Sequence, residues 1–297
     1  MPRQIPVFYH PNQVAHPEGT LSPSASKPEL VVAAWQAAGY PIRIESPEPV
    51  SRDQLAAAHE RSYVDGVLNL TRHDGFGNKK ADVAASFPWT SGSFLCASRA
   101  ALSSHEVAVS PTSGFHHAGY TRGGGFCTFN GLMVAAVSLL RDGAVKQIGI
   151  LDCDQHYGDG TEDIIERLKL RAHIQHVTAG AYPMVGEQFL AHLHQLAASF
   201  SGCDLLMYQA GADPHVDDPL GGYLTTEQLL ERDRIVFQTT ARLGIPVVWN
   251  LAGGYQKPIG KVLEIHNNTM QACVEAYFDP NEDVLAEPSG QPNGRQM

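Results

Sequence analysis

Short runs of apolar residues alternate along this chain with longer segments of helical periodicity. The short runs predict strands at Pro6–Tyr9, Glu106–Val109, Gln147–Asp152, His173–Val177, Leu205–Gln209 and Pro246–Leu251. The longer segments predict helices at Lys27–Ala38, Ser51–Ala58, Ser91–Leu102, Asn130–Arg141, Thr161–Lys169, Phe189–Phe200, Thr225–Arg242 and Gly260–Tyr277. Capping-box spacing marks two of the helix starts, at Ser51–Gln54 and Thr225–Gln228. Uninterrupted apolar strands between helices are typical of an α/β fold, with a mostly parallel central sheet and helices on both faces.

No segment of the chain has the composition and position of a linker between two domains. The Pro/Gly/Ser-rich stretch His16–Pro28 lies too near the N-terminus, and Thr112–Gly125 carries candidate functional residues. We therefore expect one catalytic domain over residues 1–278. Pro, Glu, Gly and Gln dominate residues 279–297, which we expect to form a flexible C-terminal tail.

Polar side chains follow four of the predicted strands at the point where each strand ends. They are His116 and His117, then Asp152, Asp154 and His156, then Asp213, and finally Tyr255. Ligands of open parallel sheets bind at the carboxyl ends of the strands. The sequence therefore predicts that these side chains converge at one edge of the sheet.

Three of these residues have the chemistry of a catalytic metal site. Asp154 and His156 are two positions apart, so on an extended segment they face the same way. Asp213 supplies a third ligand, and three protein ligands with an open position are typical of catalytic zinc. Because two of the three ligands are carboxylates, the site could bind iron(II) or cobalt(II) in place of zinc. The alternative is that the aspartates only cap the following helix, which the convergence of the strand ends disfavours.

The remaining polar residues suit proton transfer and oxyanion stabilisation. His116 or His117 can serve as a general base, with Asp152 and Asp159 available to fix the ring tautomers. Tyr255 follows a glycine pair and can donate its hydroxyl group to a developing oxyanion. Taken singly, each of these residues could instead be structural. The run Gly123–Gly125 lacks the Lys-Ser/Thr of a phosphate-binding loop, so we expect it to bend the chain and expose Phe126 in a cleft.

Together these motifs resemble the histone deacetylase superfamily, which adopts the arginase–deacetylase fold. The resemblance runs from Phe8 to about Tyr277. It rests on Leu55 with His59 and Tyr63, on Gly114–His117, Gly125–Asn130, Asp152–Thr161, Gly211 with Asp213, and Gly253–Tyr255. It implies a hydrolase that removes an acetyl or other short acyl group from an amine such as acetyl-lysine, by means of a metal-activated water.

Roles for individual residues follow from the same resemblance. It implies one Zn²⁺ ion bound by Asp154, His156 and Asp213, and a structural K⁺ ion near Asp152. His117 would be the general base and later the acid, paired with Asp159. His116 would be the second, electrostatic histidine, paired with Asp152. The carbonyl-polarising residue would be Tyr255, and the substrate tunnel would be lined by Gly125, Phe126 and Tyr182.

This chain departs from the family pattern in ways that leave the substrate open. Tyr157 stands where many members have a second histidine, and Phe115 where many have glycine. The segments Val14–Pro28 and Thr71–Pro88 are expected to be short rim loops. No clear counterpart exists for the rim aspartate that holds a peptide backbone in lysine deacetylases; the candidates are Asp74 and Asp82.

Three rival functions follow. The first is deacetylation of a small molecule such as an acetylpolyamine, which needs only a different rim. The second, arginase-like ureohydrolysis, requires two manganese ions, whereas the sequence shows ligands for one metal. The third, a non-catalytic binding module, predicts the loss of a catalytic residue, and none is missing.

Composition and charge indicate which kinds of binding partner and which cellular location to expect. The formal net charge of −10 gives no electrostatic reason to bind nucleic acid and would attract a cationic ligand. Five cysteines without a Cys-X-X-Cys motif favour reduced thiols and a cytoplasmic location. The N-terminus has no signal-peptide pattern, and no stretch of 18 apolar residues predicts a membrane span. The sequence is compatible with a homo-oligomer.

Overall fold

The computed structural model describes residues 3–16, 22–182 and 184–278. Its strands, numbered along the chain, are β1 (Ile5–Phe8), β2 (Ile42–Glu45), β3 (Val107–Ser110), β4 (Ile148–Asp152), β5 (Ile174–Thr178), β6 (Leu205–Gly211) and β7 (Val247–Ala252). They form one sheet in the order β2-β1-β3-β7-β6-β4-β5, and all of the pairings between them are parallel. The predicted tail at 279–297 lies outside the described residues.

The α-helices of the described residues cover both faces of this sheet. They are α1 (Lys27–Ala37), α2 (Arg52–Ala58), α3 (Arg61–Leu68), α4 (Ala81–Ser104), α5 (Gly131–Arg141), α6 (Asp159–Arg167), α7 (Gly186–Ala198), α8 (Thr226–Leu243) and α9 (Gly260–Tyr277). Alternate strand residues enter two separate apolar clusters. Ala108, Ile150, Met207 and Val248 join one, and Val109, Leu151, Tyr208 and Trp249 join the other. The predicted α/β fold with a doubly covered parallel sheet is confirmed.

Strand register brings polar residues into one row at the carboxyl edge of the sheet. Asp152 of β4 is paired with Thr178 of β5 and with Gln209 of β6. Gln209 is in turn paired with Asn250 of β7, which is paired with Ser110 of β3. All five side chains are buried. This row separates the apolar body of the sheet from the loops in which most of the candidate functional residues lie.

Three local elements differ from the predictions. The edge strand β2 and the short helix α3 were not predicted, because neither carries a long apolar run. The expected rim loop Thr71–Pro88 ends early, since α4 begins at Ala81 and runs through Pro88. A proline normally interrupts a helix. Here the burial of Val83 and Phe87 on the N-terminal side of the proline stabilises the extra turns, so packing overrides propensity.

Local signals elsewhere are accurate. Both predicted capping boxes are present, with Ser51 accepting from the Gln54 N–H and Thr225 accepting from the Gln228 N–H. All five cysteines are free thiols. Among the described residues, no helix is sufficiently long and apolar to cross a membrane.

Candidate active site

Asp154, His156 and Asp213 lie together beyond the carboxyl ends of β4 and β6. His156 Nδ1 lies 3.1 Å from Asp154 Oδ1 and 3.2 Å from Asp213 Oδ2. One ligand atom from each residue falls within 4.8 Å of the others. The two carboxylates are buried and His156 is partly exposed. One metal ion could therefore contact all three side chains and still face the cavity.

The electrostatics of this cluster fit a cation. Burial and the nearby Asp154 carboxylate raise the pKa of Asp213 to about 7. Asp213 Oδ2 is buried; although His156 Nδ1 lies 3.2 Å away, no donor of the described residues meets this oxygen with hydrogen-bond geometry. A buried, unsatisfied carboxylate oxygen beside a second carboxylate is unfavourable unless a cation balances it. Two carboxylates and one imidazole with an open side match the ligand set of a catalytic divalent metal.

A glycine permits the close approach of two loops at this cluster. Gly253 follows β7 with a φ of 50°, and a Cβ atom there would lie 2.2 Å from Asp213 Cγ. No larger residue fits without displacing the Asp213 carboxylate, which explains why glycine precedes Gly254 and Tyr255.

The adjacent histidines have separate carboxylate partners. His116 Nδ1 lies 2.7 Å from Asp152 Oδ2, and this pair is buried. His117 Nδ1 lies 2.7 Å from Asp159 Oδ1, and Asp159 Oδ2 accepts a 2.8 Å hydrogen bond from Arg122. When Nδ1 of a neutral imidazole donates to a carboxylate, its Nε2 is left as the acceptor, whereas a protonated imidazole donates from both nitrogens. Both histidines line the same cavity as the metal-type cluster.

The two imidazoles differ in their proton affinity. Burial and the neighbouring His116 lower the pKa of His117, although Asp159 opposes the shift. Burial also disfavours charge on His116, but the carboxylates of Asp152 and Asp154 outweigh it and raise the pKa to about 9. His117 is therefore the neutral member of the pair near pH 7 and the better proton acceptor.

The cavity itself has a volume of about 210 Å³. His116, His117, Asp154, His156 and Tyr255 line it, together with Gly125, Phe126, Cys127 and Leu220. The rings of Phe126 and Tyr255 lie 5.8 Å apart. Gly125 has a φ of 52°, and a Cβ atom there would lie 2.4 Å from His117 Cδ2. The predicted bend before Phe126 thus also brings Gly125 into close contact with His117, a catalytic candidate.

Some predicted residues lie elsewhere. Tyr182 is absent from the residues that line this cavity, and its ring packs against His192 at 5.2 Å. Asp74 is buried, and its Oδ1 accepts from the backbone N–H groups of Phe76 and Asn78 within its own loop. Asp82 is exposed in the first turn of α4. Neither aspartate lines the cavity, so the structure gives no support to a rim aspartate at either position.

Gln209 is a functional candidate that the sequence analysis missed. Its Nε2 donates to Asp152 Oδ1 at 2.8 Å, and its Oε1 accepts from the Phe115 N–H at 3.0 Å. It therefore ties the Asp152 carboxylate to the backbone that leads into His116. The available signal was a glutamine near the end of the apolar run Leu205–Gly211, where a buried amide needs partners.

Two buried cations lie behind the site and were also missed. Lys27 of α1 donates to the Gly253 carbonyl oxygen, and burial lowers its pKa to about 8 despite the nearby carboxylate of Asp213. Arg232 of α8 is fully buried, and its Nη1 donates to the carbonyl oxygens of Cys153 and Gly211. The sequence offers no signal for either, because lysine and arginine are rarely buried.

A third network anchors the loop that carries the histidines. His59 is buried; its Nδ1 lies 2.9 Å from the Gly119 carbonyl oxygen, and its Nε2 accepts from the Asn130 N–H at 2.9 Å. Asn130 donates in turn to Ala118 and to Thr161 at the start of α6. His59 and Asn130, which the family resemblance singled out, thus hold the two ends of the loop together.

Comparison with known proteins agrees with this architecture. The histone deacetylase domain family matches residues 23–191 and 184–270. An uncharacterized protein of Picosynechococcus is 29% identical over 92% of this chain and 99% of its own length. The crystal structure of the HDA15 HD domain superposes with a TM-score of 0.77 at 18% identity, covering 92% of this chain and 90% of that one.

A further relative is the acetylpolyamine amidohydrolase of Mycoplana ramosa, 31% identical over 48% of this chain. The match spans 50% of that enzyme. The family match covers most of the chain, so this protein belongs to the histone deacetylase family. The family resemblance predicted from the sequence motifs is therefore confirmed. It is accordingly classed as a hydrolase of linear amide C–N bonds.

Proposed function

We propose that this protein removes an acetyl or other short acyl group from an N-acyl amine. The observation that carries the proposal is that His117 and Tyr255 line the same cavity as Asp154 and His156, which form a metal-type cluster with the buried Asp213. A hydrolytic deacylase needs an activated water, a group that moves a proton and a donor for the oxyanion. The candidate site supplies a residue for each requirement.

Zinc is the metal we propose for Asp154, His156 and Asp213. When bound, it would lower the pKa of a water molecule and polarise the substrate carbonyl. We also propose a structural K⁺ ion near Asp152. Both Asp152 carboxylate oxygens already accept hydrogen bonds, from His116 and Gln209 among others, so backbone carbonyls would have to supply much of its coordination.

His117 would act first as base and then as acid. Its contact with Asp159 fixes the ring so that Nε2 remains available as the acceptor. With its pKa lowered by burial, the neutral ring can take a proton from the attacking water and deliver it to the leaving amine. Burial disfavours the charge on Asp159, but the hydrogen bonds with His117 and then with Arg122 outweigh it and lower the pKa of this carboxyl group, so it stays ionised.

Tyr255 would donate a hydrogen bond to the developing oxyanion. Burial and the negative charge of Asp213 raise the pKa of its hydroxyl group, so it stays protonated and can donate. Its backbone N–H is held by Asp218 Oδ2 at 2.8 Å, which fixes the start of the turn. A donor of this kind typically contributes about 10²–10³ in rate.

The amine remains to be assigned between a peptide lysine and a small molecule. Acetate release by the zinc-loaded protein would decide this, using acetyl-lysine peptides, free acetyl-lysine and acetylated polyamines. His117→Ala should abolish release. The matched control is His194→Ala, an exposed histidine on α7. Zinc binding without release from any substrate, or full activity of His117→Ala, would contradict the proposal.

The domain boundary is part of the same proposal. A chain that ends at Phe278 should retain the metal and the activity, because the residues proposed to act all precede that position.

A further inference from the structure

A second cavity, several of whose lining residues are exposed, adjoins the catalytic one. We call it the outer cavity; its volume is about 450 Å³, and it is lined by Phe126, Asp217, Pro219, Leu220, Tyr255, Gln256, Lys257 and Lys261. It shares Phe126, Leu220 and Tyr255 with the catalytic cavity. A substrate whose amide lies against Tyr255 therefore extends into the outer cavity. Because the proposed acyl group is short, the part that enters it is the amine side.

Much of the outer cavity surface is apolar. Phe126, Pro219 and Leu220 contribute side chains without hydrogen-bonding groups, and Leu220 is 48% exposed. Exposed apolar side chains beside a polar catalytic pocket are typical of a ligand-binding surface. An amine that carries an apolar group would cover them, whereas a chain of ammonium groups would be desolvated against them at a cost.

The charges at the outer cavity are positive. Lys261 Nζ lies 3.7 Å from Asp217 Oδ2, so the one exposed acid among the described residues that line this cavity faces a cation. Asp218, next along the chain, is buried, and its oxygens accept from the Leu220 and Tyr255 N–H groups. No ion pair joins Lys257 to a described residue. The cavity thus has a surplus cation, although the whole chain has a net charge of −10.

We infer that the preferred substrate is an N-acyl amine with an apolar group and an anionic group, such as a carboxylate, on its amine side. The inference rests on the proposed deacylase function and names the substrate class of the same site. Lys257 is its specificity-determining residue. Acetylated polyamines, which place a positive charge at this cavity, are poor substrates because like charges repel there.

Three probes of similar length test this: Nα-benzoyl-Nε-acetyl-lysine with a free carboxylate, its neutral carboxamide, and N-acetylspermidine. For the zinc-loaded wild-type protein we expect kcat/KM to fall in that order. The first two should differ by about two- to five-fold, the range of an exposed ion pair, and less at high salt. Lys257→Glu should reverse the ratio of carboxylate to carboxamide. Lys146→Glu, an exposed lysine near the opposite end of β4, should leave that ratio unchanged.

The outcomes separate this inference from the proposed function. If the wild-type protein binds zinc but hydrolyses none of the three probes, the deacylase proposal itself fails. If it hydrolyses them but prefers the polyamine, or treats carboxylate and carboxamide alike, the substrate class is wrong while the function stands. A carboxylate preference that persists in Lys257→Glu would remove this lysine from its role.

Discussion

The Arg232 guanidinium donates a 2.6 Å hydrogen bond to the Gly211 carbonyl oxygen, two residues before Asp213. The same nitrogen reaches the Cys153 carbonyl oxygen, next to Asp154, at 3.2 Å. One buried side chain of α8 thus joins the two turns that present the two metal-type carboxylates. Its Nε contacts Asp233, which also accepts from Tyr208 and Thr269. We take Arg232 to be a positioning residue for the metal cluster.

Replacing Arg232 should weaken metal binding as well as stability. Arg232→Met leaves Asp233 buried beside an apolar side chain, which should lower the free energy of unfolding by about 3–5 kcal/mol. Arg232→Lys keeps the charge, but a single ammonium group cannot reach both carbonyl oxygens. The variant protein should therefore fold, and its affinity for zinc should be lower than that of the wild type. Zinc competition titrations and the absorption spectrum of the cobalt(II) form would measure this.

The control for that experiment lies on the same helix. Arg234 pairs with Glu275 on the surface, so Arg234→Met should cost less than about 1 kcal/mol and leave the cobalt spectrum unchanged. A normal zinc affinity and spectrum for a folded Arg232→Lys protein would show that Arg232 has a purely structural role.

Removal of one proposed ligand should remove the metal. Asp213→Ala deletes the buried carboxylate that completes the cluster with Asp154 and His156, and two ligands rarely hold zinc. Elemental analysis should give far less than one zinc per chain. Asp217→Ala, four residues later and exposed, should keep the full zinc content. Equal zinc in both variants would overturn the ligand assignment.

Tyr255→Phe should separate metal binding from catalysis. The change deletes one hydroxyl group from the cavity wall and no proposed ligand, so the zinc content should stay at the wild-type value. Turnover should fall by about 10²–10³, because one oxyanion donor is lost. The exposed Tyr157→Phe variant serves as the control. A Tyr255→Phe enzyme with near-normal kcat would mean that this hydroxyl group does not touch the transition state.

The acid side of the pH profile should report His117. Burial and His116 lower the pKa of His117 below its ordinary value of 6.5, so the active neutral form should persist below that pH. As the pH falls through this lowered pKa, kcat/KM should decline because the base becomes protonated. Asp159 raises the pKa of His117, so Asp159→Asn should shift the acid limb to lower pH and also reduce kcat. If the acid limb of the pH profile is unchanged in Asp159→Asn, the limb reports the titration of a group other than His117.

Local sequence determined the main elements and the candidate site. Short apolar runs identified the central strands, because side-chain burial in a doubly covered sheet depends mainly on residue type. Helix starts at Ser51 and Thr225 were readable because a capping box involves residues only three positions apart. Asp154 and His156 could be grouped as candidate ligands because they are only two positions apart. Asp213 and Tyr255 were added because they follow strands of a parallel sheet, and the family resemblance reinforced this grouping.

Tertiary structure decided the rest, because it depends on which distant segments become neighbours. The helix through Pro88 exists because Val83 and Phe87 are buried, which local propensity cannot indicate. Gln209 and Arg232 form these hydrogen bonds with partners 21 to 94 residues away in the chain. The positive outer cavity of an acidic protein is another such outcome. The net charge is a sum over the whole sequence, whereas the fold decides that Asp218 is buried and that Lys257 lines the outer cavity.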